Sequence, residues 1–260
     1  MNTHTWITHF ERNTRLNDTL ELPEDLPCRL SEKLRVPLAA SLATFQLGES
    51  GTGSRLRRYA REVAPLENFR GYQRAIDLFV AEEQSHSRLL ARVVRHLGGR
   101  LLTKQWTNSV FRRLRFLVNL EFAVQVLLTA ELIAEVYFGT LYLRCEDPVV
   151  RMVAHKLLRD EMKHLDFQRD FLSERVASFN NLGRLLWRLQ FQAVHAITAH
   201  VVAWDHRHAL RALGVKPEDF RRRCLQAWRR YQDRLEKQVT AIPAGQGTSS
   251  SPSPVFSPDR

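Results

Sequence analysis

Four stretches of this chain repeat apolar residues at steps of three and four, and a glutamate breaks each stripe near its middle. Such steps keep one face of a helix turned inward. The first stripe reads Leu38, Leu42, Phe45, Glu49, Thr52, Leu56, Tyr59, Val63, and the second Ile76, Phe79, Glu83, His86, Leu90, Val93, Leu97. The third reads Leu117, Leu120, Val124, Leu127, Glu131, Ala134, Phe138, Leu141, and the fourth Val150, Ala154, Leu157, Glu161, His164, Gln168, Phe171. No run of alternating β-branched residues suggests a sheet, so the pattern predicts an all-α protein.

Helix punctuation sets the expected boundaries. Pro37 suits a helix start, and one helix is expected over 37–63, ahead of Pro65. A second is expected over 67–96, stopped by Gly98-Gly99, and a third over 110–143. Asp147-Pro148 then turns the chain into a fourth helix, which ends near Asn180-Asn181. Short turns make two antiparallel hairpins, and about fifteen residues between the second and third helices can carry the chain along the bundle. The expected architecture is therefore a four-helix bundle with one long crossover, plus two additional C-terminal helices over 182–213 and 217–238. The organisation reads as a polar N-terminal extension (1–36), the bundle (37–180), a C-terminal helical extension packed on it (181–240) and a tail disordered by composition (241–260).

Two of the stripes carry Glu-x-x-His, as Glu83-Gln84-Ser85-His86 and Glu161-Met162-Lys163-His164. Positions three apart share a helical face, so one carboxylate and one imidazole can grip the same ion. Counting from the turns puts Glu49, Glu83, Glu131 and Glu161 at one height. About fifteen residues lie on each arm of the first hairpin, and about fourteen on each arm of the second. Burying an unpaired carboxylate costs several kcal/mol, so four facing one core call for compensating cations. Two divalent ions cancel four negative charges, and mixed carboxylate and imidazole ligation suits iron or manganese. Glu135, one turn beyond Glu131, competes for the helix-three position. Its shorter, asymmetric hairpin spacing makes it a residue of the pocket or one that backs the ligands instead, and Glu121 reads as surface or pocket rim.

This constellation resembles the ferritin-like di-iron carboxylate proteins, in which two helices each give a Glu and two each give Glu-x-x-His. The resemblance covers residues 37–178. It implies that Glu83 and Glu161 bridge two iron ions, with manganese the alternative. His86 and His164 would be terminal imidazole ligands, and Glu49 and Glu131 terminal carboxylates. Asp160-Glu161-Met162-Lys163-His164 is also similar to the Asp-Glu-x-Arg-His element of di-iron monooxygenases. There the Asp accepts a hydrogen bond from the opposing ligand histidine and orients it. Asp160 and Glu82 take that place here. The ligand spacing resembles the substrate-oxidising branch, including the arylamine N-oxygenases, more than ferritin cages, although Leu157 stands where the N-oxygenases carry an extra histidine ligand.

The resemblance implies an oxidoreductase, an O2-dependent oxygenase or oxidase of an organic substrate served by an external electron donor. Two alternatives remain: a ferroxidase that handles iron, and an RNA-associated di-iron modification enzyme. The second alternative rests on charge. The chain holds 39 Lys and Arg against 28 Asp and Glu, a net +11. Arginines cluster at Arg55, Arg57, Arg58, Arg61; at Arg112, Arg113, Arg115; and at Arg221, Arg222, Arg223, Arg229, Arg230. Such faces suit an acidic carrier or nucleic acid, or are simply solvated, and no aromatic-interleaved groove accompanies them. Three scattered cysteines, Cys28, Cys145 and Cys224, argue against a disulfide scaffold or zinc ribbon. With no signal-peptide pattern and no uninterrupted apolar span, the expected setting is cytoplasmic and off the membrane, with a homodimer left open.

Other features carry less. Gly48-Glu49-Ser50-Gly51-Thr52-Gly53 lacks the preceding strand and the Gly-Lys-Ser/Thr of a phosphate loop, so its small residues read as space beside a ligand or a local helix bulge. His195, His200, His206 and His208 read as structural or surface residues. Tyr137 and Tyr142 lie near the site, with core packing their expected role.

Overall fold

The computed structural model describes residues 1–18, 20–23, 25–66, 69–104 and 120–242. Among these the regular elements are all helices: α1 Thr3–Asp18, α2 Glu32–Glu49, α3 Ser54–Val63, α4 Tyr72–His96, α5 Leu120–Arg144, α6 Pro148–Ala177, α7 Asn181–Asp205, α8 Arg207–Ala212 and α9 Pro217–Ala241. The start of the expected third helix, residues 110–119, the Arg112, Arg113 and Arg115 cluster and the tail from 243 lie outside the described residues.

The bundle forms as its stripes require. α2 packs on α4, α5 packs on α6, and α4 against α6 joins the two hairpins. The turn into α6 is capped by Asp147, whose Oδ1 accepts from Val150 N at 3.0 Å, with Pro148 at the first helical position. Asn180 caps α7 in the same way, accepting from Gly183 N at 2.7 Å. One apolar cluster gathers Leu38, Leu42, Val93, Leu97, Phe138, Val153 and Leu157, and a second gathers Tyr72, Ile76, Phe79, Leu128, Phe167 and Phe171. α7 to α9 add Leu210, Phe220 and Cys224 to the first cluster, and Phe191, Trp228 and Tyr231 to the second.

Three expectations need correction. The helix expected over 37–63 starts earlier, at Glu32, with Pro37 in its interior, and it is two helices, because the chain leaves the helix after Glu49 and re-enters at Ser54. Gly53 causes this: its φ is +62°, and a Cβ there would fall 2.4 Å from Val80 Cγ2. The helix expected over 182–213 likewise breaks at His206, between α7 and α8. Finally, the polar N-terminal extension contains α1, whose Trp6 and Phe10 are buried against Phe167 at ring distances of 5.5 and 5.2 Å. Two apolar residues four apart are too few to stand out as a stripe.

α5 is long and apolar enough over Val124–Arg144 to cross a membrane. It is the inner helix of the bundle, with Val124, Leu128, Leu132, Ile133 and Phe138 buried and Glu131 among them.

Candidate metal centre

The four middle glutamates meet in the gap between the two apolar clusters. Glu49, Glu83, Glu131 and Glu161 line one cavity of about 160 Å³. Ligand atoms of Glu83, His86, Glu161 and His164 lie within 4.8 Å of one another. His164 Nδ1 stands 3.0 Å from Glu83 Oε1, 3.3 Å from Glu131 Oε2 and 3.4 Å from Glu161 Oε2. His86 Nδ1 stands 3.6 Å from Glu161 Oε1 and 3.7 Å from Glu83 Oε1.

Both imidazoles thus turn the same nitrogen inward and the other outward. His86 Nε2 meets Asp160 Oδ2 at 2.9 Å, and His164 Nε2 meets Glu82 Oε2 at 3.3 Å. The pairing is reciprocal: each acceptor precedes the middle glutamate of the opposite helix. A histidine whose outer N–H is held by a carboxylate presents a lone pair on its inner nitrogen at a fixed angle.

Side-chain charge shows how crowded the cluster is. Burial and then the Glu83 charge push the Glu49 carboxyl well above its ordinary range. Burial and then Glu161 do the same for Glu131. Burial alone would lower His86, but the hydrogen bond with Asp160 and the nearby Glu161 carboxylate raise it to about 10. Burial would raise Asp160, yet His86 and Lys156 hold it at about 2. Glu161 is likewise held low, because the neighbouring Glu131, His164 and His86 side chains outweigh its burial.

Residues of this kind fit a pair of metal ions. His86 Nδ1, Glu83 Oε1 and Glu161 Oε1 are buried and have no hydrogen-bond partner, although they converge on the same space. Such orphaned atoms cost on the order of 1–3 kcal/mol each unless something fills them. Glu135 has a different setting: burial raises its carboxyl, Arg230 and Arg234 of α9 draw it down, and it is not among the cavity-lining residues. Tyr137 is fully buried, stacked on Phe45 at 4.2 Å, and its hydroxyl bonds to Ser41 Oγ. The side chain of Glu121 lies outside the described residues.

The p-aminobenzoate N-oxygenase AurF family model matches residues 57–242. The chain belongs to this family. It is a non-haem di-iron oxygenase, and its family uses O2, an organic substrate and an electron donor. No curated protein and no solved structure matches the chain. The match takes in Glu83, His86, Glu131, Glu161 and His164, whereas Glu49 and the whole of α1 precede it.

Two residues near the centre were not anticipated. His206 lines the same cavity as the glutamates, and Ser41 Oγ lies 2.7 Å from its Nδ1. Burial lowers His206 to about 4, so this wall is polar but uncharged at neutral pH. Asn13 of α1 hydrogen-bonds both Glu82 and Asp160. His206 has no histidine, cysteine or carboxylate three or four positions away, and an asparagine is not among the side chains that ligand spacing searches for, so spacing gave no sign of either. Of the other histidines, His195 is buried, with Nε2 donating to Cys224 O at 2.9 Å, and His200 is exposed beside Arg221.

Proposed function

We propose that this chain oxygenates a small, uncharged organic molecule about one aromatic ring in size, with an arylamine the favoured class. The cavity carries the reading. Its volume of about 160 Å³ is close to the roughly 150 Å³ of an apolar void that accepts benzene. Phe45, Val126, Leu127, Ile133, Ala134 and Val202 give it apolar walls, and the four glutamates form its floor. Thr44, Thr198 and His206 are its other polar side chains, and no Lys or Arg is among the described lining residues. A carboxylate carried inside would find no Lys or Arg among the described lining residues to pair with, and burying it unpaired is costly. The p-aminobenzoate of the family description bears such a group.

We assign Glu49, Glu83, His86, Glu131, Glu161 and His164 as the ligands of two ions, iron in preference to manganese. Held by these residues, two ferrous ions would supply the electrons for reducing dioxygen. The protein's own part is to hold the donors, exclude water with the two apolar clusters and present the ring against Phe45. With metal bound, Glu82 and Asp160 would hold the outer N–H of each imidazole and leave its inner nitrogen unprotonated. The three unpaired cysteines suit a reducing, cytoplasmic setting. Of the clustered arginines, Arg57, Arg58 and Arg222 form local ion pairs, with Asp77 at 3.1 Å, Glu62 at 3.8 Å and Asp219 at 2.6 Å, as side chains on solvated helix faces do.

The test is a competition. Iron-reconstituted protein, chemically reduced and exposed to O2, is given equimolar p-toluidine and p-aminobenzoate, and the N-oxygenated products are separated by mass spectrometry. Preferred consumption of p-toluidine is expected. Preference for the benzoate would overturn the neutral-substrate reading. Iron oxidation with retained mineral and no oxygenated product would favour the ferroxidase instead.

A further inference from the structure

The family match begins at residue 57, yet a residue far upstream of it reaches the centre. Asn13 is buried, and its amide stands between the carboxylates of Glu82 and Asp160. Nδ2 donates to Glu82 Oε1 and, at 3.0 Å, to Asp160 Oδ1. Oδ1 accepts from Lys156 Nζ at 3.2 Å, and the same ammonium donates to Asp160 Oδ2. Chemistry fixes the direction of the amide, because a carboxylate only accepts and an ammonium only donates. Glu82 and Asp160 are also the acceptors behind His164 and His86. One amide therefore backs both imidazoles.

We propose that Asn13, braced by Lys156, is a positioning residue for both halves of the metal centre, which makes α1 a working part of the site. The proposal rests on the di-iron reading above. Outer-shell acceptors set the angle and basicity of a ligand imidazole, and those acceptors need fixing in turn. Two buried carboxylates with no donor between them repel and rotate away, and each takes its histidine along. Lys156 bonds directly to Asp160 alone of the two. Among the described residues, the side-chain hydrogen-bond partners of Glu82 are Asn13 and His164. Further contacts fasten α1 to the bundle. Trp6 Nε1 donates to Asp170 Oδ2 at 2.9 Å, Arg74 pairs with Glu11 at 3.1 Å, and Phe10 packs on Phe79 and Phe167.

Asn13→Asp nearly keeps the shape and replaces the donor with an acceptor, so it separates positioning from packing. Metal-free wild-type and variant proteins are titrated anaerobically with Fe(II), and separately with Co(II) while the visible cobalt bands are recorded. Thermal unfolding in chelator checks that the variant folds. Affinity for both ions should fall about 10- to 100-fold, with altered cobalt bands. His86→Ala, by contrast, should weaken mainly one ion. If Asn13→Asp does not fold, Lys156→Met takes its place, with a loss in the same direction expected. Superimposable isotherms and cobalt spectra, or a loss confined to one ion, would overturn the proposal. A wild-type protein that takes up no metal would instead overturn the di-iron reading, and the wild-type titration alone reports that.

Discussion

Two glutamates one helical turn apart on α5 meet different neighbours, and that difference decides their roles. Glu131 Oε2 reaches His164 Nδ1 at 3.3 Å inside the cluster, while Glu135 lies under the pull of Arg230 and Arg234. Glu131→Ala should therefore lose at least one iron on reconstitution, as measured by metal analysis, and stop oxygen uptake by the reduced protein. Glu135→Ala should keep both ions and lose only part of its link to α9. Retention of two ions by the Glu131 variant, with loss from the Glu135 variant, would shift the ligand position by a turn. The middle glutamates and both Glu-x-x-His pairs were legible because a carboxylate on an apolar stripe is conspicuous, and hairpin arithmetic sets its height. Asn13 and His206 were not. Their roles come from tertiary contacts with residues more than sixty positions away, Glu82 and Ser41, which no local period encodes.

At the scale of elements, breaks matter as much as helices. The helical period runs through residues 37–63 without interruption, so the apolar pattern alone could not show that α2 ends at Glu49. The signal is the glycine run, whose small residues suggest space or a bulge and in fact make a break, with left-handed backbone at Gly53. Gly53→Ala faces both the positive φ and the close approach to Val80, and should destabilise the protein by about 1–3 kcal/mol in denaturant titration. An unchanged midpoint would mean the α2–α3 joint relaxes freely. The joint between α7 and α9 responds instead to pH. Burial lowers His195 from 6.5 to about 4, with the Cys224 carbonyl opposing. The folded imidazole thus stays neutral while the unfolded one takes up a proton below about 6.5. Its contribution is fully present above that pH and fades as pH falls toward 4. The loss is about 3 kcal/mol at most, at roughly 1.4 kcal/mol per pKa unit. His195→Gln should flatten the stability profile between pH 6.5 and 4; an unaltered slope would show that other groups control acid unfolding there.

Taken whole, the molecule is two apolar clusters with a polar layer between them. That layer opens to the cavity on one side, and α1 closes it at Glu82 and Asp160. The layer is the weak plane of the fold when no cation neutralises it. Its inward atoms include three with no partner, and its carboxyls Glu49 and Glu131 are forced above their ordinary range by burial and by neighbouring carboxylates. Metal ions that bind only the folded arrangement must therefore stabilise the entire bundle, because α4, α5 and α6 all donate to the same cluster. At a free metal concentration a hundred times the dissociation constant, one ion adds about 2.7 kcal/mol. For a chain of this size that corresponds to a melting temperature higher by roughly 5–10 °C. Fe(II) under anaerobic conditions, or Mn(II) in air, should produce the rise, and a His86→Ala/His164→Ala double variant should lose most of it. A rise that is undiminished in the double variant would place the stabilising metal elsewhere on the protein, because neither Glu-x-x-His pair would then be holding it.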